Sequence, residues 1–155
     1  MTLARSLAVP AIGLLIAFAS AHPAVAVDAG AMATVNQFVD GFNKGDAKMA
    51  VAACASPASV IDEFPPHHWH GATACADWLR AFDAVAKSAG ITNAAVTLGK
   101  PWHVDVSGDV AYVVVPATYA YRLRGKPTSE SGIFAFSLTR GAAGWRITAW
   151  AWAKH

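Results

Sequence analysis

The sequence is poor in charge, and what charge it has is balanced. Only 14% of its 155 residues are Asp, Glu, Lys or Arg, with 12 bases against 10 acids. It has no arginine-rich stripe or basic run, so the electrostatic footprint of a nucleic-acid binder is missing. Its long apolar run, Leu7–Ala19, has 13 residues, short of the roughly 20 that cross a bilayer as a helix. No second run is longer, so no membrane partner is expected for the domain that follows. Cysteine is scarce at two residues, and neither stands near the N-terminus, which argues against a lipid-anchored form. Repeats, low-complexity tracts and domain linkers are absent too.

What is present begins with an address. Arg5, the apolar Leu7–Ala19 and the small residues Ala24 and Ala26 stand in the order of a secretory signal peptide. Residues 1–26 are read as that signal, with Ala19-Ser20-Ala21 as a second cleavage site, and residues 27–155 as the domain. The protein is expected to be exported, to a periplasm or beyond. A composition 55% hydrophobic suits one globular domain with its own core. In an oxidising compartment, Cys54 and Cys75 invite a disulfide, worth about 3 kcal/mol by chain entropy. The alternative is a pair of small buried thiols.

Three helices are expected first, then strands. Val35, Phe38, Val39 and Phe42 follow the i, i+3, i+4, i+7 rule of one buried helix stripe. Gly45 ends that helix and Asp46 caps the next, AKMAVAACA, which stops at Ser56-Pro57. ASVIDEF reads as a short strand and PPHHWHG as a loop. A third helix starts near Thr73, turns Cys75, Trp78, Phe82, Val85 and Ala89 inward, and ends at Gly90. After it come a strand interrupted by a bulge near Gly99-Lys100-Pro101, a long strand with Pro116 at an edge or bulge, and two more strands. Short turns join them, as in an antiparallel meander. Side-chain parity puts Tyr119 with Tyr121, Phe134 with Phe136, and Thr148 with Trp150 and Trp152. Helices followed by strands give an α+β layer, helices on one face of a curved sheet.

The chemistry-bearing stretch is IDEFPPHHWHG, Ile61–Gly71. Asp62, among Ile61, Phe64 and Trp69, is a candidate general base, because desolvation raises a carboxyl pKa. His70 is its candidate acid partner, and His103, Tyr119 and Tyr121 are alternative proton donors. Asp62 otherwise reads as a hydrogen-bonded turn acid and His70 as a loop residue. His67, His68 and His70 with Asp62 or Glu63 could in principle hold a metal. However, neighbouring histidines in an extended loop point apart, and zinc needs three or four convergent ligands, so no metal or cofactor is expected. His67 and His68 read as the solvated tip of a proline-stiffened lip.

The phrase FNKGD at the end of the first helix, an acid at the end of the first strand, a glycine and tryptophan leading into the third helix, and the C-terminal WRITAWAW together resemble the nuclear transport factor 2-like superfamily. Within it the chain is similar to the SnoaL-like branch and the ketosteroid isomerases, over residues 30–154. The resemblance implies a cone-shaped curved antiparallel sheet packed on three N-terminal helices, with an apolar pocket at its open end and, in many members, dimers through the outer sheet face. Asp62 matches the isomerase base. The isomerases' tyrosine falls at Phe38, which cannot donate, and their second acid falls around Phe134–Phe136, where no acid stands. Without oxyanion donors, isomerisation by that mechanism is not expected.

Fold alone does not set function, and three readings stay open. The first is a binder of a small, largely apolar molecule, walled by Phe38, Phe42, Trp69, Trp78, Phe82, Tyr119, Phe134 and Trp150, in a monomer or a homodimer. The second is a cofactor-independent isomerase, lyase or hydrolase using Asp62 and His70 or a tyrosine. The third is an interaction module acting through the outer sheet face.

Overall fold

A computed structural model describes residues 24–155. The apolar run and nearly all of the expected signal peptide lie outside the described residues. Helix α1 (Ala24–Lys44) and helix α2 (Ala47–Ala53) come first, then strand β1 (Cys54–Ile61) and strand β2 (His68–Gly71). Helix α3 (Ala74–Ala89) follows, then β3 (Ile91–Leu98), β4 (His103–Ser107), β5 (Val110–Leu123), β6 (Lys126–Gly141) and β7 (Gly144–Lys154). None of the described helices is long and apolar enough to cross a membrane.

The helix signals act as their chemistry requires. Asp46 caps α2 by accepting a 2.9 Å bond from the Met49 amide. Gly90 closes α3 in the left-handed region at φ 77°. Thr73 occupies the cap position of α3 without capping it. Its hydroxyl donates instead to Asp77 at 2.7 Å. The FNKGD phrase plays a structural part. The Asn43 side-chain amide donates to the Val96 carbonyl at 2.8 Å and accepts from the Val96 amide at 2.7 Å. This two-way clasp fastens the end of α1 to β3. Val85 departs from expectation. It is exposed, as are Asp83, Ala84, Lys87 and Ser88 around it, because the later turns of α3 face mostly solvent.

The seven strands form one curved sheet in the order β2-β1-β7-β6-β5-β3, with β4 also paired to β5. The meander from β3 to β7 is antiparallel as expected, but β1 lies parallel beside β7, so the sheet is mixed. The expected loop PPHHWHG is half strand: His68–Gly71 pairs antiparallel with Ala58–Ile61. The Asp62 amide donates to the His67 carbonyl at 3.1 Å and the His67 amide to the Phe64 carbonyl at 2.9 Å, closing a tight hairpin.

Pro116 lies at neither an edge nor a bulge. It sits within an inner strand, opposite Ile133 of β6. Its carbonyl accepts from the Gly99 amide at 2.8 Å, so its amide position faces the same way, toward the gap between β3 and β4. The missing N–H therefore costs no ladder bond.

A second irregularity sits in β7. Ser137 pairs with Ala149 but Leu138 with Ile147, so Thr148 is an extra residue. Thr148 turns outward and donates to the Ser137 carbonyl at 3.0 Å, so it does not share a face with Trp150 and Trp152 as parity suggests. The bulge re-phases the strand so that Trp145 and Ile147 before it, and Trp150 and Trp152 after it, are all buried. The core between sheet and helices is built from Val35, Phe38, Val60, Trp78, Val113, Phe136, Ile147 and Trp150. Cys54 and Cys75 form a disulfide, with Cα atoms 6.6 Å apart, tying the start of β1 to the start of α3.

Candidate functional site

One end of the cone holds an open hollow. Its cavity volume is about 70 Å³, where one water needs ~10–15 Å³; with its open mouth it spans about 520 Å³ of empty space. The hollow therefore fits a compact body of about one ring, with more of a ligand free to extend through the mouth. Its floor and walls are aromatic. Phe42 sits 5.0 Å from Phe82 and 5.8 Å from Trp78, and Tyr119 lies 6.2 Å from Phe82, ring centre to ring centre. Aromatic rings at such distances form a rigid apolar box.

Of the eight expected wall residues, the structure brings Phe38, Phe42, Trp78, Phe82, Tyr119 and Phe134 to the hollow. Trp69 and Trp150 do not line it. Trp150 is wedged between Trp78 at 4.7 Å and Phe38 at 5.4 Å. Trp69 packs on Phe64 at 5.1 Å, and Phe64 takes the place in the wall. Trp152, Val39, Val96 and Glu63 also reach the hollow, positions the pattern of the sequence did not single out for it.

Asp62 lies at the end of β1 and lines the hollow. One carboxylate oxygen accepts from the Trp78 indole N–H at 2.8 Å, and the other from the Glu63 amide at 2.6 Å. Burial pushes its pKa up, and the two hydrogen bonds and the nearby His67 offset this only in part. His70 does not join it. Along β2 the exposed His68 and His70 alternate with the buried Trp69, so both histidines stand on the outer face. Their rings stack 6.1 Å apart, and the His68 Nε2 meets the Ser59 hydroxyl at 3.0 Å. His67 caps the hairpin with its Nδ1 3.2 Å from the Asp62 carbonyl, and His103 is exposed on β4. Among the described residues no group of three histidine, cysteine or acidic side chains is placed to hold a metal.

The proton-donor candidate that shares the hollow with Asp62 is Tyr119. Tyr119 presents a fully buried hydroxyl with no hydrogen-bond partner, and burial, then the charge of neighbouring Tyr121, pushes its pKa up. Tyr121 stacks on it at 4.7 Å and donates to Glu130 at 2.7 Å. That bond, chiefly, raises the Tyr121 pKa to about 12.

Glu130 is an acid that pattern reading missed. It faces Tyr119 across the β5–β6 ladder and binds Lys154 at 3.0 Å, while Lys154 lies 3.9 Å from Glu63. Burial pushes the Glu130 carboxyl up, but its bonds from Tyr121 and Lys154 outweigh this and hold it below the usual range. Glu63, pushed up by burial and then by the charge of Glu130, takes the opposite shift. Lys154 thus lies between the two acids, nearer Glu130 than Glu63.

The architecture is the nuclear transport factor 2-like fold. An NTF2-like superfamily protein from Salmonella enterica superposes with a TM-score of 0.71 at 16% identity, covering 84% of this chain and 92% of that one. An NTF2-like protein with a cystatin-like fold from Novosphingobium aromaticivorans gives 0.70 at 17% identity, covering 84% and 83%. A ketosteroid isomerase-like protein from Erwinia carotovora atroseptica gives 0.65 at 18% identity, covering 81% and 94%. No family model and no curated protein matches the sequence.

Proposed function

We propose that this is an exported binding protein that holds a small, largely apolar molecule in the aromatic hollow. The observation that carries the reading is the open hollow itself, walled mostly by aromatic side chains, Phe42, Trp78, Phe82 and Tyr119 among them. Export rests on the N-terminal signal pattern and is supported by the disulfide.

Trp78 makes the test direct, because its ring lines the hollow and its N–H is held by Asp62. Titration with compact aromatic compounds should change tryptophan emission saturably, and Phe82→Ala should alter that response without unfolding the protein. A hollow that stays silent to every such compound, with emission unchanged, sinks the reading.

A second reading is supported by Asp62 and Tyr119 lining the same hollow: acid–base catalysis with Asp62 as base and Tyr119 as proton donor. His70, on the outer face, has no part in it. In that case Asp62→Asn abolishes turnover while Tyr119→Phe lowers it, and apolar binding survives in both.

A further inference from the structure

The walls of the hollow are uneven in charge. Two carboxyl groups, Asp62 and Glu63, reach it, and Lys154 links Glu63 to a third, Glu130. The one ammonium in the cluster, Lys154, sits 3.0 Å from Glu130 and 3.9 Å from Glu63, and does not line the hollow. No ion pair is made by Asp62 among the described residues. Its partners are two N–H groups, and each of its oxygens retains an open acceptor site. The remaining walls are mostly aromatic, with Trp78, Phe82, Phe42 and Tyr119 among them, side chains whose ring faces attract cations through the ring quadrupole.

A carboxylate or phosphate entering this space would meet like charge with no base to receive it. A neutral molecule would leave the half-buried Asp62 carboxylate without a counter-charge. An ammonium meets a carboxylate and an electron-rich aromatic box. Burial pushes the pKa of both Asp62 and Glu63 up, which is the shift an incoming cation would reverse.

We infer that the hollow selects compact organic cations, an ammonium carried on an aromatic or short apolar body, over neutral and anionic molecules of the same shape. This rests on the hollow being a binding site, and its test separates the two claims.

Three probes of matched size differ only in charge: phenethylamine, phenethyl alcohol and hydrocinnamate. Binding to the exported, disulfide-bonded protein is read by tryptophan emission and calorimetry at neutral pH. The amine should bind at least tenfold more tightly than the alcohol, and hydrocinnamate more weakly than both. Asp62→Asn should cut amine affinity at least tenfold while leaving the alcohol within twofold, since an asparagine oxygen still accepts from Trp78. Glu63→Gln, at an exposed position that tolerates change, should cut amine affinity by a smaller factor in the same direction. Added salt should narrow the gap between amine and alcohol. Equal affinity for amine and alcohol, or preference for hydrocinnamate, overturns the cation selectivity and leaves the binding site standing. No response to any of the three overturns both.

Discussion

The close approach of Gly132 to the Trp152 ring offers a strong test of how the hollow is built. Gly132 of β6 lies under the indole of Trp152. A β-carbon placed there would stand 2.8 Å from one of its ring atoms and nearer still to two others, against the ~3.5–4.0 Å of ordinary carbon contact. Trp152 cannot simply move aside, because it is buried and packs on Phe134 at 4.9 Å. Gly132→Ala should thus incur overpacking of about 3 kcal/mol, the upper part of the usual range. Against this stands a gain of roughly 0.5–1 kcal/mol from replacing a glycine inside a strand. The net is a loss of about 2 kcal/mol, or a fall in Tm of about 8 °C at ~4 °C per kcal/mol for a chain this size. Thermal melts followed by circular dichroism measure it. The decisive arm is the pair with Trp152→Leu: with the ring gone, adding the alanine methyl should cost nothing, a coupling of at least ~1.5 kcal/mol between the two sites. An alanine that is neutral alone, or equally costly in both backgrounds, refutes the packing argument.

The remaining predictions concern the disulfide and the polar groups. Replacing Cys54 and Cys75 by serine should lower unfolding stability by about 3 kcal/mol, set by the closed loop of 21 positions; urea melts in which the serine variant matches the wild type would refute this. Asp62 has a pKa raised in the folded state from its ordinary value of 3.8, so the folded protein binds more protons than the unfolded chain once pH exceeds that value. Wild-type stability should therefore fall relative to Asp62→Asn as pH rises from below 3.8 through the raised pKa, then run parallel to it. A wild-type Tm that holds or rises relative to that of Asp62→Asn over that window contradicts the burial of Asp62. Tyr119→Phe removes a buried hydroxyl without a partner and should stabilise the ligand-free protein by about 1 kcal/mol; a lowered Tm would show that the hydroxyl has a partner.

Much of the scaffold was legible because its signals are local. Helix stripes, the Asp46 cap, the Gly90 stop and the turn glycines act over three or four residues, and each needs only its neighbours to be read. The pairing of Cys54 with Cys75 was legible from the cysteine count and the expected export. What escaped was set by partners far along the chain. The parallel seat of β1 beside β7 has no local marker. The bulge at Thr148 is visible only once β7 is laid against β6. Glu130 matters because the ladder sets it opposite Tyr119, and β2 was hidden because its exposed-buried-exposed HWH alternation follows two prolines. For the same reason Asp62 could be singled out, but its separation from His70 could not. One residue belongs to the turn and the other to the far face of a strand that the sequence pattern read as loop.

The place of β7 has a bearing on assembly. It is the last strand, yet it runs between β1, nearly a hundred residues earlier, and β6. During synthesis every earlier element waits with an open seam, its apolar rows facing nothing, until Trp145–Trp152 arrives to fill the slot. Closure on so distant a partner is intrinsically slow, and a half-built sheet with a vacant central slot is the species most prone to stick to its own kind. Such a chain benefits from being kept unfolded until it is complete.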